Sequence, residues 1–487
     1  MVHAFSMKER YIVYDSESCA LHEPDEVAYR ILKLYIENNG NRPSDDGLQS
    51  LSDEIHTDIS ELHSCADEID QLIQAGELFA PEQPVTLSQL YPQSPRIKAM
   101  CLHICHDCNL RCQYCFAHTG DFGTGNRSML SVETGKKAID FLIAASGPRK
   151  HLDIDFFGGE PLMNWPVVKE LTYYCEEAGK AAKKDIRLTI TTNCLLLDDE
   201  KTEFINQHMK NCVLSIDGRP HVNDKMRPGI GGKGSYPVVS KRIRSFIEKR
   251  MQPAAIHHEH YVRGTYTSEN LDFSEDIKHI AEALQAKYIS VEPVVAPEGS
   301  GYEISQDHLQ QIEHEYEKIA EYLLHKEEME DPIYFFHFVI DATEGPCLYK
   351  RLKGCGVGAE YCAVTPEGDI YPCHQFVGNP DMLMGNVHQY QPEDKNRTVN
   401  ERADHAMSIF NESIRKTFND RLMPNKEACR TCFARYHCGG GCPANAYHTT
   451  GDLDGLYEIG CALARKRLEC SLWMQLMRSE KTGRNNT

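Results

Sequence analysis

Cys108, Cys112 and Cys115 stand in the spacing C-x3-C-x2-C, with Phe116 directly after. Three thiols on one short loop can cap three irons of a four-iron cube and leave the fourth iron open. A structural zinc asks instead for four ligands, typically two C-x2-C pairs. A second cysteine-rich stretch lies downstream. Cys355, Gly368 and Cys373 read C-x12-G-x4-C; Cys429, Cys432, Cys438 and Cys442 read C-x2-C-x5-C-x3-C, with Cys461 beyond. Gly439, Gly440 and Gly441 would let that loop wrap a bulky group. The chain has 20 cysteines in 487 residues, and none between Cys212 and Cys347, so they are gathered for chemistry rather than scattered as filling. Cys101 and Cys105, on the strand leading into the first loop, read as bystanders. Cys19, Cys65, Cys175, Cys194, Cys212 and Cys470 read as small core residues.

Elements must hold these loops in place. From Ile97 to about Val294 strands and helices alternate. Leu152–Phe157, Leu188–Thr192, Val213–Ile216, His260–Tyr266 and Tyr288–Val294 are strand-like. Val132–Ala145, Val167–Ala182, Ser235–Lys249 and Asp276–Ala286 are helical. Repeated βα units predict a parallel sheet or partial barrel with ligands at the strands' C-terminal ends. Gly158-Gly159-Glu160-Pro161 closes the first of those strands; Thr191, Thr192 and Asn193 close the next; Ser215, Asp217 and Gly218 the one after. Arg227 and Arg263 could hold a carboxylate or sit in ordinary ion pairs. Gln306–Lys326 reads as an amphipathic helix. From Cys347 onward short Gly-, Pro- and Cys-rich pieces replace regular periodicity, and such a segment needs metal to fold. Residues 1–90 read as a separate winged-helix-like module. Its expected elements are strands at Tyr11–Tyr14 and Ser16–His22 and helices at Val27–Ile36 and Cys65–Leu78; Pro81–Pro95 is a linker.

Charge narrows the class. With 52 Lys and Arg against 72 Asp and Glu the net charge is −20, unsuited to nucleic acid or an anionic membrane. Residues 1–90 alone carry 5 basic and 18 acidic residues, which argues against a DNA-binding role for the winged-helix shape. No apolar run spans a bilayer, and the first residues lack a signal-peptide core, so a cytoplasmic protein is expected. In a reducing compartment dense cysteine points to metal or redox chemistry.

The C-x3-C-x2-C loop resembles the fingerprint of the radical S-adenosylmethionine (SAM) superfamily. That resemblance implies an α/β fold with a partial (β/α) barrel and a [4Fe-4S] cluster on Cys108, Cys112 and Cys115 whose open iron binds SAM. It also implies SAM contacts at Phe116, Gly158, Gly159, Glu160, Pro161, Thr191, Asn193, Ser215 (ribose), Asp217, Arg227 and Arg263. The downstream cysteines resemble a SPASM extension, here 345–470, following a barrel at 96–340. By that resemblance two auxiliary [4Fe-4S] clusters form, one on Cys429, Cys432, Cys438 and Cys461. The other uses Cys355, Cys373 and Cys442, its fourth corner taken by Cys347 or Cys362 or left open for a substrate thiolate. Residues 1–90 resemble a PqqD-like element that binds leader peptides at a sheet edge. Stretches such as "YIVYDSESCALHEPDEVAYRIL", "DFFGGEPLMNW" and "GCGVGAEYCAVTPEGDIYPCHQFVGN" are similar to maturases of SCIFF peptides, the ranthipeptide family. That similarity implies thioether crosslinks from Cys sulfur to carbon in a Cys-rich precursor peptide with a leader. A reductase, flavodoxin or ferredoxin would be the electron donor. The alternatives are a formylglycine-forming dehydrogenase of the anaerobic sulfatase-maturase type and a non-enzymatic iron–sulfur regulator.

Overall fold

In a computed structural model of the chain, the described residues are 1–82, 90–91, 95–252, 255–257, 259–340, 347, 351–392, 397–481 and 483. The expected linker at 81–95 falls mostly outside them. An antiparallel sheet opens the chain: β1 (Val2–Met7), β2 (Arg10–Asp15) and β3 (Leu21–His22). Against one face of it lie helices α1 (Glu26–Glu37), α2 (Asp45–Ile55) and α3 (Ile59–Gln74). Asp25, Ser44 and Asp58 cap them by accepting the N–H groups of Ala28, Gly47 and Ser60. β1 and α2 are additions to the sequence reading. The strand expected at Ser16–His22 shrinks to two residues, since the chain first turns at Cys19, whose φ of 63° is left-handed. Alternation along β2 gives the sheet two buried faces. Val13 joins the module's own core, whereas Ile12 and Tyr14 join the core of the rest of the protein.

The second unit is a run of parallel strands: β4 (Ala99–Cys105), β5 (His151–Gly158), β6 (Asp185–Thr192), β7 (Asn211–Ser215), β8 (Tyr261–Tyr266), β9 (Tyr288–Pro293) and β10 (Tyr334–Phe335). Between them run α4 (Val132–Ala145), α5 (Trp165–Ala182), α6 (Asp199–His208), α7 (Pro220–Met226), α8 (Tyr236–Arg250), α9 (Phe273–Ala283) and α10 (Leu309–Glu328). On β5 the residues Leu152, Ile154 and Phe156 are fully buried in the main core, while Asp153, Asp155 and Phe157 face the other way and stay half-buried. A period of two thus separates a greasy outer face from a polar inner one. Each large apolar side chain on the outer face adds about 1.5–3 kcal/mol by leaving water.

Three further strands extend the same sheet. β11 (Tyr361–Val364) pairs in parallel with β4, placing Ala363 opposite Cys101; β12 (Asp369–Tyr371) and β13 (Gly385–Asn386) follow antiparallel. The cysteine-rich region is therefore continuous with the barrel sheet. The chain closes on a long helix, α11 (Glu458–Lys481), packed along α10 with Lys466 on Glu317 (2.6 Å) and Arg478 on Glu327 (2.6 Å). Among the described residues no helix is long and apolar enough to cross a membrane.

Candidate active site

Beyond β4 the backbone enters the cysteine loop. Cys108 N–H donates to Asp107 Oδ1 (2.8 Å), and Arg127 pairs with the same carboxylate. Arg111 N–H reaches Pro228 O (2.7 Å) and Gln113 N–H reaches Met226 O (2.9 Å), pinning the loop to the chain after α7. Several N–H groups aim at sulfur: Leu110 N (3.4 Å) and Asn193 Nδ2 (3.5 Å) at Cys108, Thr119 N (3.4 Å) at Cys115. Tyr114 stands between Cys112 and Cys115. Its hydroxyl meets both oxygens of Asp217 at 2.7 Å and accepts from Arg227 Nη1 at 3.0 Å.

The turn after β5 locks onto this loop. Gly159 N–H donates to Cys105 O (2.8 Å) and Glu160 N–H to Asp107 O (2.9 Å). A Cβ on Gly158, where φ is 124°, would stand 2.3 Å from Cys105 O, and one on Gly159 2.0 Å from Asp107 O. The two glycines thus permit backbone to lie against backbone. Glu160 is fully buried and accepts from Thr192 Oγ1 (2.8 Å), Asn193 N (2.7 Å) and Leu162 N (3.0 Å); burial pushes its carboxyl up to about 7.

The barrel mouth and the cysteine-rich region enclose a cavity of about 650 Å³. Cys108, Cys112 and Cys115 line it together with Phe116, Gly158, Gly159, Thr191, Asn193, Ser215, Arg227 and Arg263. Glu160, Pro161 and Asp217 do not reach its wall: Glu160 braces Thr192 and Asn193, Pro161 begins a short helical turn, and Asp217 holds Tyr114. The wall also holds residues absent from the sequence reading: Asp155, Glu292, His374, Tyr457 and Arg467. These sit on four separate segments, Tyr457 and Arg467 both at α11, and no local sequence pattern marks them.

The later cysteines gather in two groups. Cys373 stands within electrostatic reach of Cys442 and Cys355, and Cys355 within reach of Cys442. Cys429 feels Cys438 and Cys432, and Cys461 feels Cys438 and Cys429. Cys438, Cys442 and Cys461 line the cavity opposite the first loop. Of the two candidates for a remaining corner, Cys362 is fully buried on β11 within the main core and Cys347 is exposed. Cys355 and Cys442 of the trio are exposed as Cys347 is, and Cys101, paired with Ala363 of β11, lies within electrostatic reach of Cys373 and Cys362.

The residues present fit iron–sulfur clusters. Burial pushes the Cys108 thiol up to about 12 and Cys112 up to about 11, so a thiolate there requires a positive partner such as bound iron. The N–H groups aimed at sulfur would donate to such a cluster's thiolates and tune it. Among the described residues no three Cys, His, Asp or Glu side chains converge closely enough for a single ion, whereas a cube needs its sulfurs further apart. The cavity volume is in the range of small-molecule sites.

Residues 102–258 match the model of the radical SAM superfamily. A serine-type anaerobic sulfatase-maturating enzyme of Bacteroides thetaiotaomicron is 25% identical over 374 residues, 71% of this chain and 82% of that protein. An uncharacterised protein of Methanocaldococcus jannaschii is 32% identical over 139 residues; the match spans 28% of this chain and 45% of that relative's length. The structure of anSMEcpe with bound AdoMet superposes with a TM-score of 0.60 at 15% identity, over 79% of this chain and all of that one. SuiB of Streptococcus suis bound to S-adenosylmethionine superposes with 0.53 at 16% identity, over 94% and 98%, and SuiB has also been solved with its precursor peptide SuiA. With its parallel sheet, its cysteine loop at the strand ends and these matches, the chain has the radical SAM α/β fold, and residues 102–258 are the stretch that matches the radical SAM superfamily's model.

Proposed function

We propose that the chain is a radical SAM maturase that installs thioether links from Cys sulfur to carbon in a ribosomally made, Cys-rich precursor peptide. The observation that carries this reading is that the first cysteine loop and the later cysteines Cys438, Cys442 and Cys461 face one cavity. A reaction that starts at the first and ends with sulfur beside the second needs that arrangement. When bound at Cys108, Cys112 and Cys115, the cluster would supply the electron that splits SAM into methionine and a 5′-deoxyadenosyl radical.

The chain's own residues orient and enclose. Asn193, Ser215 and Arg227 offer polar contacts to SAM along its wall, and Tyr114 with Asp217 fixes the position of Arg227. Cys355, Cys373 and Cys442 would hold one auxiliary cluster with a corner free for a peptide sulfur, and Cys429, Cys432, Cys438 and Cys461 a second. The walls of α11 and the cysteine-rich loops exclude water from a radical. Residues 1–82 would take the leader as an added strand, with an electron donor docking from outside.

Formylglycine formation is the second reading, favoured by the 374-residue likeness to a sulfatase-maturating enzyme. Anaerobically reconstituted protein with SAM, dithionite and a Cys-rich precursor separates the two by mass spectrometry. A thioether removes two hydrogens and blocks alkylation of that sulfur with no aldehyde; formylglycine gives an aldehyde. Failure to form 5′-deoxyadenosine would sink both.

A further inference from the structure

We propose that Asp155 is the base that takes the proton from substrate sulfur during oxidation in the cavity. This rests on the maturase reading and holds for either product. In thioether formation and in oxidation of Cys towards formylglycine alike, one hydrogen atom goes to the 5′-deoxyadenosyl radical. One electron would pass to an oxidised iron–sulfur cluster held by the later cysteines, and one S–H proton must leave. The bond lost on sulfur is S–H; the bond gained on Asp155 is O–H.

Position supports the assignment. Asp155 lies on the inner face of β5, three residues before Gly158, and lines the cavity. It therefore sits deeper in the barrel than the turn that embraces the cysteine loop. Thr191 Oγ1, on β6, is 3.2 and 3.3 Å from its two oxygens and donates to the ionised form. The groups facing it are Cys101 on β4, Tyr361 on β11, Cys212 on β7 and Arg263 on β8. One layer towards the strand starts, Asp153 is already paired with Arg187 (2.8 Å).

The other carboxylate on the cavity wall is unsuited. Burial alone would raise Glu292, but His337 (3.3 Å), Arg263 (3.7 Å) and Arg467 hold it far below the usual carboxylate range, so it has little appetite for a proton. Asp155 is pushed the opposite way, up to about 7 by burial, with Thr191 and Arg263 pulling it partly back. A base near neutrality exchanges a proton with a thiol of ordinary pKa, about 8.5, at small cost. The ring of His374 on the facing wall is packed against Phe116 and Phe157.

The test uses the reconstituted full-length enzyme with a Cys-rich precursor, reading oxidised peptide per 5′-deoxyadenosine across pH. In the parent enzyme the ratio should rise with pH through about 7, as Asp155 becomes able to accept. Asp155→Asn should lower it by about 100-fold and flatten that rise, and Asp155→Glu should restore part of both. Thr191→Val removes the donor to the carboxylate and should move the rise to higher pH, which serves if Asp155→Asn fails to bind iron. A parent-like ratio and rise in Asp155→Asn, or an unmoved rise in Thr191→Val, overturns the assignment. Parent enzyme that cleaves SAM and leaves the peptide unoxidised overturns the maturase reading itself.

Discussion

One phenol couples the cysteine loop to the barrel. Tyr114 bridges Asp217 and Arg227, both within the protein, across 103 and 113 positions of sequence. Tyr114→Phe leaves Asp217 with the Thr265 N–H (3.1 Å) and with Arg227 at 3.8 Å. Losing a hydrogen-bonding group beside a buried charge costs about 1–3 kcal/mol, so the thermal midpoint should fall and SAM should bind more weakly in equilibrium titration. A midpoint and affinity equal to the parent's would show that the bridge is dispensable. At this scale the sequence was most readable where chemistry sits in consecutive residues: Cys108, Cys112, Cys115 and Gly158–Gly159 all reach the cavity wall. Asp155, Glu292 and Arg467 carry no local pattern. Each is an ordinary charged residue until strand pairing and α11 bring them to one wall.

Elements were legible where periodicity is clean. The strands around Leu152–Phe157 and Leu188–Thr192 alternate buried and half-buried residues, and the sheet follows. α6 was not, because only Thr202 and Ile205 of its ten residues are buried, leaving no apolar stripe to read. α11 was hidden for another reason: it begins in the cysteine-rich stretch, and its basic residues Lys466, Arg467 and Arg478 interrupt the apolar period to meet Glu317, Tyr316 and Glu327. The Gly158–Gly159 turn is an element whose role depends on contact rather than on sequence. A methyl on Gly159 meets Asp107 O at 2.0 Å, a backbone atom with nowhere to move, so the turn must lift off the loop. Gly159→Ala should lose iron at the first site and SAM binding together while the far-UV circular dichroism stays near the parent's. Retained SAM binding would mean that the loop adapts.

At the scale of the whole molecule, the amino-terminal sheet rests on the loop between two cysteines of the second group. His3 stacks on Phe433 at 3.5 Å, Tyr14 OH lies 3.1 Å from His437 Nε2, and Tyr436 OH donates to Glu17 at 3.1 Å. Glu17 also pairs with Arg435, and the two side chains are 5% and 7% exposed. All of these partners fall between Cys432 and Cys438. Phe433 and Ala434 anchor this loop in the main core, and the cluster proposed on Cys432 and Cys438 would fix its two ends; a buried ion pair tolerates little displacement, since isolating one partner costs about 3–5 kcal/mol. Stripping iron should therefore loosen residues 1–82 as well as the cysteine-rich region. Hydrogen exchange should show β1 and β2 losing protection in chelator-treated protein and regaining it on reconstitution, and Cys432→Ala should reproduce the loss. Glu17→Gln should loosen the module while iron content stays at the parent level, which separates docking from cluster assembly. Unchanged protection of β1 and β2 after iron removal would mean that the shared apolar contacts of Phe5, Met7, Ile12 and Tyr14 hold the module without help from the loop.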